Sequence, residues 1–529
     1  MTLNYLYRLA AALALAAFSH AVVAQEPQRG GTLYVALHPE PTVLNVSYHA
    51  QYANSTVSSN VFESLFVYGD DQQPKPVLAE SWELAPDGLS LTFHLRKDVK
   101  WHDGQPFTSE DVKYSALNIW KKLHSRGRVT FAPLLDVETP DAHTAIFRLE
   151  RPALVILSAL NAAESQIFPA HLYAGTDVRT NPYNSKPVGT GPFRFKKWEK
   201  GQYIELERNP DYWETGKPYL DRVIFRTIPD AAAREAALET GEVHVVPFSG
   251  IPFSDVERIK QNKSLRVTTN GYAYNAQIYY FEINTRKGPL AHLKVRQAFA
   301  HAFDKQALVD TVFYGLSQTA DSIIPQDATR YYLKDGLPRY DFDPAKAERL
   351  LDEAGFPRKE NGVRFSLTIN LSPSSDRFPF AAELLRQNLK RVGVDLQPIT
   401  SDVATYLRTV YTDYQFDSLF QPYATMLDPE MGLTRLFWTP AAQPGVPYSG
   451  ASGYSDPATD RLVEQYQKEV DPDKRAGYFH DLQRNVLSQL PVIPLMEAPF
   501  FTVYNTRLHG LDERPDGSRS AYTNAWLAP

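Results

Sequence analysis

The chain has 529 residues, a formal net charge of −6, 43% hydrophobic and 22% charged residues. That length exceeds what one hydrophobic core serves and predicts two to four domains of roughly 150 residues. The balance is that of a soluble globular protein, and the acidic charge excludes a basic footprint for nucleic acid and argues against an anionic membrane surface as partner.

At the N-terminus, Arg8 precedes an apolar run, Leu9–Phe18, that is too short to span a bilayer. Val22-Val23-Ala24 follows with small residues suited to processing. Residues 1–24 therefore read as a signal peptide cleaved after Ala24. No later segment is apolar for long enough to cross a membrane. The chain has no cysteine, so it uses neither disulfides nor a lipidated thiol. A free, exported protein of a bacterial periplasm is the expectation.

Alternating apolar residues at 30–37 predict a strand, followed by the loop His38-Pro39-Glu40-Pro41 and a helix over 54–65. The segment 78–115, LAESWELAPDGLSLTFHLRKDVKWHDGQPFTSEDVKYS, has a richer grammar. Asp87-Gly88 turns a hairpin into the strand of Leu89, Leu91, Phe93 and Leu95. Asp103-Gly104 turns again, and Thr108-Ser109-Glu110-Asp111 caps a helix. A second hairpin spans 137–150 with its turn at Pro140-Asp141. A helix covers 153–162, and residues 181–186 form a polar loop. Val188-Gly189-Thr190-Gly191-Pro192-Phe193 lacks the third glycine and the helix start that a nucleotide loop needs. After Asn209-Pro210-Asp211-Tyr212-Trp213 come a strand at 221–228, a helix at 231–240 and a strand at 243–247. Residues 265–285 read as one long aromatic, β-rich crossing.

The second half repeats the alternation. The spacing predicts one helix over 293–309, then a helix at 345–354 behind Asp343-Pro344. Strands follow at 365–371, 394–399 and 416–420, with helices at 380–392 and 404–412. A helix at 472–488 and a strand at 501–504 close the chain. This is α/β grammar in two lobes without a flexible tether.

No catalytic constellation emerges. Gly-x-Ser-x-Gly and His-Glu-x-x-His are absent, thiol chemistry is impossible, and His102-Asp103 belongs to a turn. His292 and His301 are spaced wrongly for one helical face to hold a metal. No cofactor and no metal site is expected.

The dense order of residues over 78–115 resembles the signature of the extracytoplasmic solute-binding proteins of family 5, the peptide/nickel type. Gly189–Phe193, Asn209–Trp213 and Val295–Lys305 resemble further landmarks in the same order. The resemblance implies a type II periplasmic-binding-protein fold: two α/β lobes joined by a strand hinge, the first enlarged by an extra subdomain. On it, lobe I comprises 25–60, 182–272 and 493–529, the subdomain 61–181, and lobe II 273–492. The implied function is capture of a peptide, opine or similar polar solute, without chemistry, for an inner-membrane ABC permease and its ATPase. A monomer is expected. Oligosaccharide and metal-chelate ligands are alternatives within the family, and a secreted α/β hydrolase is the alternative outside it.

Position nominates the site. Asn45, Tyr48 and His49 lie on a loop that borders the family's cleft. Tyr272, Tyr274 and Asn275 lie at the crossing, and Ser375, Asp376 and Arg377 follow a strand. Tyr423, Thr425 and Asp428 follow another strand, at a carboxyl end where open α/β sheets bind ligands. In peptide-binding relatives an Asp that pairs with the α-ammonium stands where this chain has Thr425. An ammonium buried there without a carboxylate would lack several kcal/mol, on the order of a broken buried pair. Asp428 is either a substitute anchor or a turn former before Pro429.

Overall fold

The computed structural model describes residues 26–48, 51–69, 71–328, 330–511, 514 and 516–529. The expected signal peptide and His49 lie outside the described residues. Among those described, no helix is long and apolar enough to cross a membrane.

Two sheets organise the chain. The first has seven strands in the order Leu265–Thr268, Thr502–Asn505, Val245–Val246, Thr32–Leu37, Arg222–Thr227, Tyr203–Arg208 and Phe193–Glu199. The second has five, in the order Val394–Ile399, Phe365–Leu371, Ser418–Ala424, Gln277–Ile283 and Val492–Glu497. In the second, Phe365–Leu371 runs parallel to both Val394–Ile399 and Ser418–Ala424, while Gln277–Ile283 enters antiparallel beside Ser418–Ala424. The amino end of the entering strand therefore meets the carboxyl ends of its parallel neighbours. Gln277 pairs with Ala424. The fold is the type II periplasmic-binding-protein architecture.

The chain passes between the sheets twice, over residues 269–276 and 498–501. The single strand expected over 265–285 is thus two strands in different sheets, separated by a turn at Ala273–Asn275. Val492–Glu497 pairs with Gln277–Ile283, so the chain returns to the first sheet after Glu497, later than the expected 493. The two crossings are latched together. Tyr272 Oη accepts from the Phe248 N–H at 2.7 Å, donates to the Phe501 carbonyl at 3.1 Å and lies 2.7 Å from Thr502 Oγ1. Its ring stacks on Phe500 at 5.4 Å.

A four-stranded antiparallel sheet, Ala79–Leu84, Ser90–Leu95, Thr144–Leu149 and Leu134–Asp141, is built on the first lobe. Its Phe93 and Phe147 belong to one continuous core with Leu33, Val35 and Phe225 of the large sheet. The second hairpin turns later than expected because Asp141 stays in the strand and accepts the His143 N–H at 2.7 Å. The helix expected over 293–309 is two, Leu293–Ala302 and Lys305–Val312. Phe303 is extended and Asp304 caps the second helix through the Ala307 N–H.

The motifs of the first half converge on one joint. A Cβ at Gly189 would meet the Val61 carbonyl oxygen at 1.8 Å, and one at Gly191 would meet the Asn60 oxygen at 2.7 Å. Only glycine fits this backbone crossing. His102 clamps the same loop: its Nδ1 accepts the Gly189 N–H at 3.2 Å and its Nε2 lies 2.9 Å from the Gly191 carbonyl. Burial pushes its pKa down to about 4. Thr190, Tyr212 and Trp213 all donate to Glu63, whose burial pushes it up to about 7 despite them.

Candidate functional site

The sheet topology explains which candidates meet. Because Gln277–Ile283 enters at the carboxyl edge of the second sheet, the turn Ala273–Asn275 sits beside the loop that leaves Ser418–Ala424. The Thr425 N–H donates to the Ala276 carbonyl at 3.1 Å. The first lobe and its subdomain face this edge, and a polar cluster fills the junction.

Tyr274 Oη donates to Glu164 of the subdomain. Glu164 also takes a two-pronged ion pair from Arg126, with Nε at 2.9 Å from Oε2. Burial opposes both charges, but their mutual attraction prevails: Arg126 is held above, and Glu164 below, its ordinary range. His124, 3.9 Å from Glu164, is pushed down to about 4 by burial, so it is neutral near pH 7, and its Nε2 has no hydrogen-bond partner. Asn275 bridges the other side: its Nδ2 donates to Tyr52 Oη at 2.8 Å and its Oδ1 accepts from Arg519 Nη2 at 2.8 Å. The Arg519 guanidinium lies 4.6 Å from the centre of the Tyr52 ring.

From the second lobe come Tyr423, Thr425 and Arg435. Tyr423 Oη donates to the buried Glu282 at 2.7 Å, so that hydroxyl is engaged within its own lobe. Thr425 is 1% exposed and its hydroxyl has no hydrogen-bond partner. Met426, Leu427 and Met431 of the same loop join the first-lobe core, so apolar contact brings the lobes together here. Met426 and Tyr448 have φ of 62° and 59°, and Phe248, which stacks on Tyr52, has 56°. Such backbone is rare outside glycine and gathers at binding sites.

The remaining candidates lie elsewhere. Asn45 is buried, donates to Asn184 at 2.8 Å and accepts from Ser47, pinning one loop to another. Tyr272 belongs to the hinge latch. Arg377 reaches between the rings of Phe253 and Tyr314, at 5.5 and 5.6 Å, away from the cluster. Beside it Asp376 is exposed, while the Ser375 hydroxyl accepts the Arg377 N–H. Asp428 is not a free anchor: Arg475 grips both its oxygens, Tyr466 donates to it at 2.6 Å, and it caps the next turn through the Glu430 N–H. Its position before proline already signalled that role. Among the described residues, no three His, Asp or Glu side chains are grouped to hold a metal. His301 Nδ1 lies 2.7 Å from the Asp341 carbonyl, and His292 packs on Phe356.

Sequence reasoning missed Tyr52, His124, Arg126, Glu164, Arg435 and Arg519. Each sits in an unremarkable local pattern, and only the long-range fold brings them together. A crevice of about 720 Å³ is lined by both crossings together with Lys260, Gln318 and Glu497. The charged cluster does not line it. The convergent, incompletely paired polar groups at the junction are the candidate site.

This arrangement has well-matched counterparts. Residues 73–444 match the family model for the middle region of bacterial extracellular solute-binding proteins, family 5. A Brucella ovis protein named as an ABC transporter peptide-binding protein is 31% identical over 484 residues, covering 88% of this chain and 87% of its own. The dipeptide-binding protein of Escherichia coli is 28% identical, covering 84% of each. The oligopeptide-binding protein of Bacillus subtilis, solved with a nonapeptide, superposes with a TM-score of 0.79 at 25% identity, over 95% of this chain and 100% of that one. AgaA of A. tumefaciens R10, solved with agropinic acid, gives 0.77 at 26% over 94% and 99%. This chain belongs to family 5 of the bacterial extracellular solute-binding proteins.

Proposed function

We propose that this protein captures a peptide-like or opine-like polar solute in the periplasm, between its two lobes, and hands it unaltered to an inner-membrane ABC permease driven by a cytoplasmic ATPase. It acts as a monomer, exported by a signal peptide cleaved after Ala24. The observation that carries the reading is the pair of crossings at 269–276 and 498–501, with polar side chains from both lobes and the subdomain converging beside them. Two connecting segments latched side by side can bend together, so one lobe closes on the other about a solute. The nonapeptide and agropinic acid held by its structural neighbours lie within the size and polarity range proposed. Proteins of this family bind solutes for transport and are not enzymes, so the hydrolase reading is set aside.

A thermal-shift screen of peptides, opines and sugars tests this. A true ligand stabilises only the native state, by about 2.7 kcal/mol at a hundred times Kd, so Tm rises with concentration. A panel that leaves Tm unchanged throughout contradicts the reading. Sequencing of the exported protein is expected to begin at Gln25.

A further inference from the structure

Two cations at the lobe junction, Arg519 and Arg435, have no ion-pair partner among the described residues, and of these Arg519 is held by Asn275 and the Tyr52 ring. Arg435 lies on the turn Thr434–Leu436, beyond the loop of Thr425 and Asp428. Its Nε is shut off from solvent and has no hydrogen-bond partner, while the rest of the side chain keeps partial access. No described residue accepts a hydrogen bond or forms an ion pair with its guanidinium. Burial and the positive charge of Arg126 both work against its ionisation, opposed only by the hydroxyls of Tyr423, Tyr411 and Tyr448.

The fully buried arginines of the second lobe differ from half-buried Arg435. Arg296 donates to the carbonyls of Gln489, Leu290 and Ala291. Arg364 donates to the Val392 and Phe356 carbonyls and to Asp352. Arg475 holds Asp428 and Glu430. The fold answers each of these three buried guanidiniums, since leaving one unanswered costs several kcal/mol, on the order of a broken buried pair. An unanswered one beside a binding junction is satisfied from outside.

The available donors indicate what arrives. One free guanidinium fork matches the two oxygens of a carboxylate. Arg126 is already held by Glu164, so the pair does not form a two-arginine phosphate clamp. Thr425 contributes an unpartnered hydroxyl and no negative charge that would welcome an ammonium. We infer that Arg435 is a ligand-binding residue whose guanidinium receives a carboxylate of the captured solute, so that the cleft selects acidic solutes over cationic ones. The inference rests on the capture reading above and adds to it a charge class.

The test uses ligand-stripped full-length protein and calorimetry with Ala-Glu, Ala-Lys, Ala-Glu blocked as its two carboxamides, and inorganic phosphate, alongside mass spectrometry of whatever co-purifies. Ala-Glu binding the wild type in preference to Ala-Lys and the diamide, and an acid-bearing co-purified solute, are the expected results. R435Q is expected to weaken Ala-Glu about 100-fold, as for loss of one partner of a buried charge pair, with R435K recovering part of the loss. Its urea midpoint without ligand is expected at or above that of wild type, which separates lost binding from lost folding. Equal affinity of R435Q and wild type, preference for the diamide, or phosphate binding in place of Ala-Glu each overturns the carboxylate assignment. Preference for Ala-Lys, which keeps one carboxylate, overturns the selection of acidic solutes. Every one of these results leaves capture intact. A protein that co-purifies with no solute and responds to no probe overturns both.

Discussion

Arg475, buried, and Arg435, half-buried, are two cations of the same lobe with opposite surroundings. Arg475 is 3% exposed, and Asp428, Glu430 and the Tyr466 carbonyl answer its donors. Arg435 has no such partner among the described residues. Arg475 braces the loop from Thr425 to Met431 through Asp428 and Glu430, and Arg435 follows that loop on the turn Thr434–Leu436. The contrast teaches that a charge alone marks nothing. A charge whose partners are present braces the fold, and one whose partners are missing is a candidate for binding.

The strongest way to break the comparison is to unmake the completed pair. D428A leaves the Arg475 guanidinium buried without its main counter-ion, and a loss of about 3–5 kcal/mol is expected, read as a fall in the urea midpoint. A change within about 0.5 kcal/mol would mean that Asp428 was never bracing the loop.

The joint at Gly189–Gly191 carries the next effect, because its two flanking groups titrate in opposite senses. His102 sits at about 4 in the fold against 6.5 for a free imidazole. The unfolded chain binds its proton first, so stability falls as pH drops from 6.5 towards 4, by roughly 1.4 kcal/mol per unit. Glu63 sits at about 7 against 4.5. The folded chain holds that proton, so stability falls as pH rises from 4.5 towards 7, with the same slope. Relative to wild type, H102Q is expected to gain stability as the medium is acidified through its window, and E63Q as it is made alkaline through its own. Parallel pH profiles for all three proteins would remove the electrostatic account of this joint.

A smaller effect belongs to the hinge. Y272F deprives the buried Phe248 N–H of its acceptor and uncouples the two crossings, which is expected to cost about 1–2 kcal/mol and to broaden the spread of lobe angles seen by scattering. No change in either quantity would mean that the crossings need no latch. Smallest is the effect of R435Q on the empty protein, within about 1 kcal/mol of wild type and not below it. A large loss would make Arg435 a structural residue like Arg475.

What was legible in the sequence follows the same division. The landmarks at Gly189–Phe193 and Asn209–Trp213 could be read because each residue has a local or steric duty: a glycine where a Cβ would strike the Val61 carbonyl, an aromatic donor aimed at Glu63. Strands 365–371 and 394–399 fell where the alternation put them. Ser418–Ala424 ran further than expected because Pro422 is tolerated inside it. At the junction, Tyr274, Asn275 and Thr425 could be nominated because topology places strand ends there. Arg126, Glu164 and Arg435 could not, since their surroundings come from neighbours distant in the chain. Of the two readings of Asp428, anchor or turn former, the structure shows the second, with its oxygens already taken by Arg475 and the Glu430 N–H.

The central claim is that two latched crossings let the lobes close over a solute that leaves unchanged. Small-angle scattering of the stripped protein, before and after saturation with its co-purifying solute, tests it most directly. The account predicts a smaller radius of gyration with the solute and its recovery intact on release. An unchanged scattering curve at saturation, or recovery of a transformed product, would contradict it.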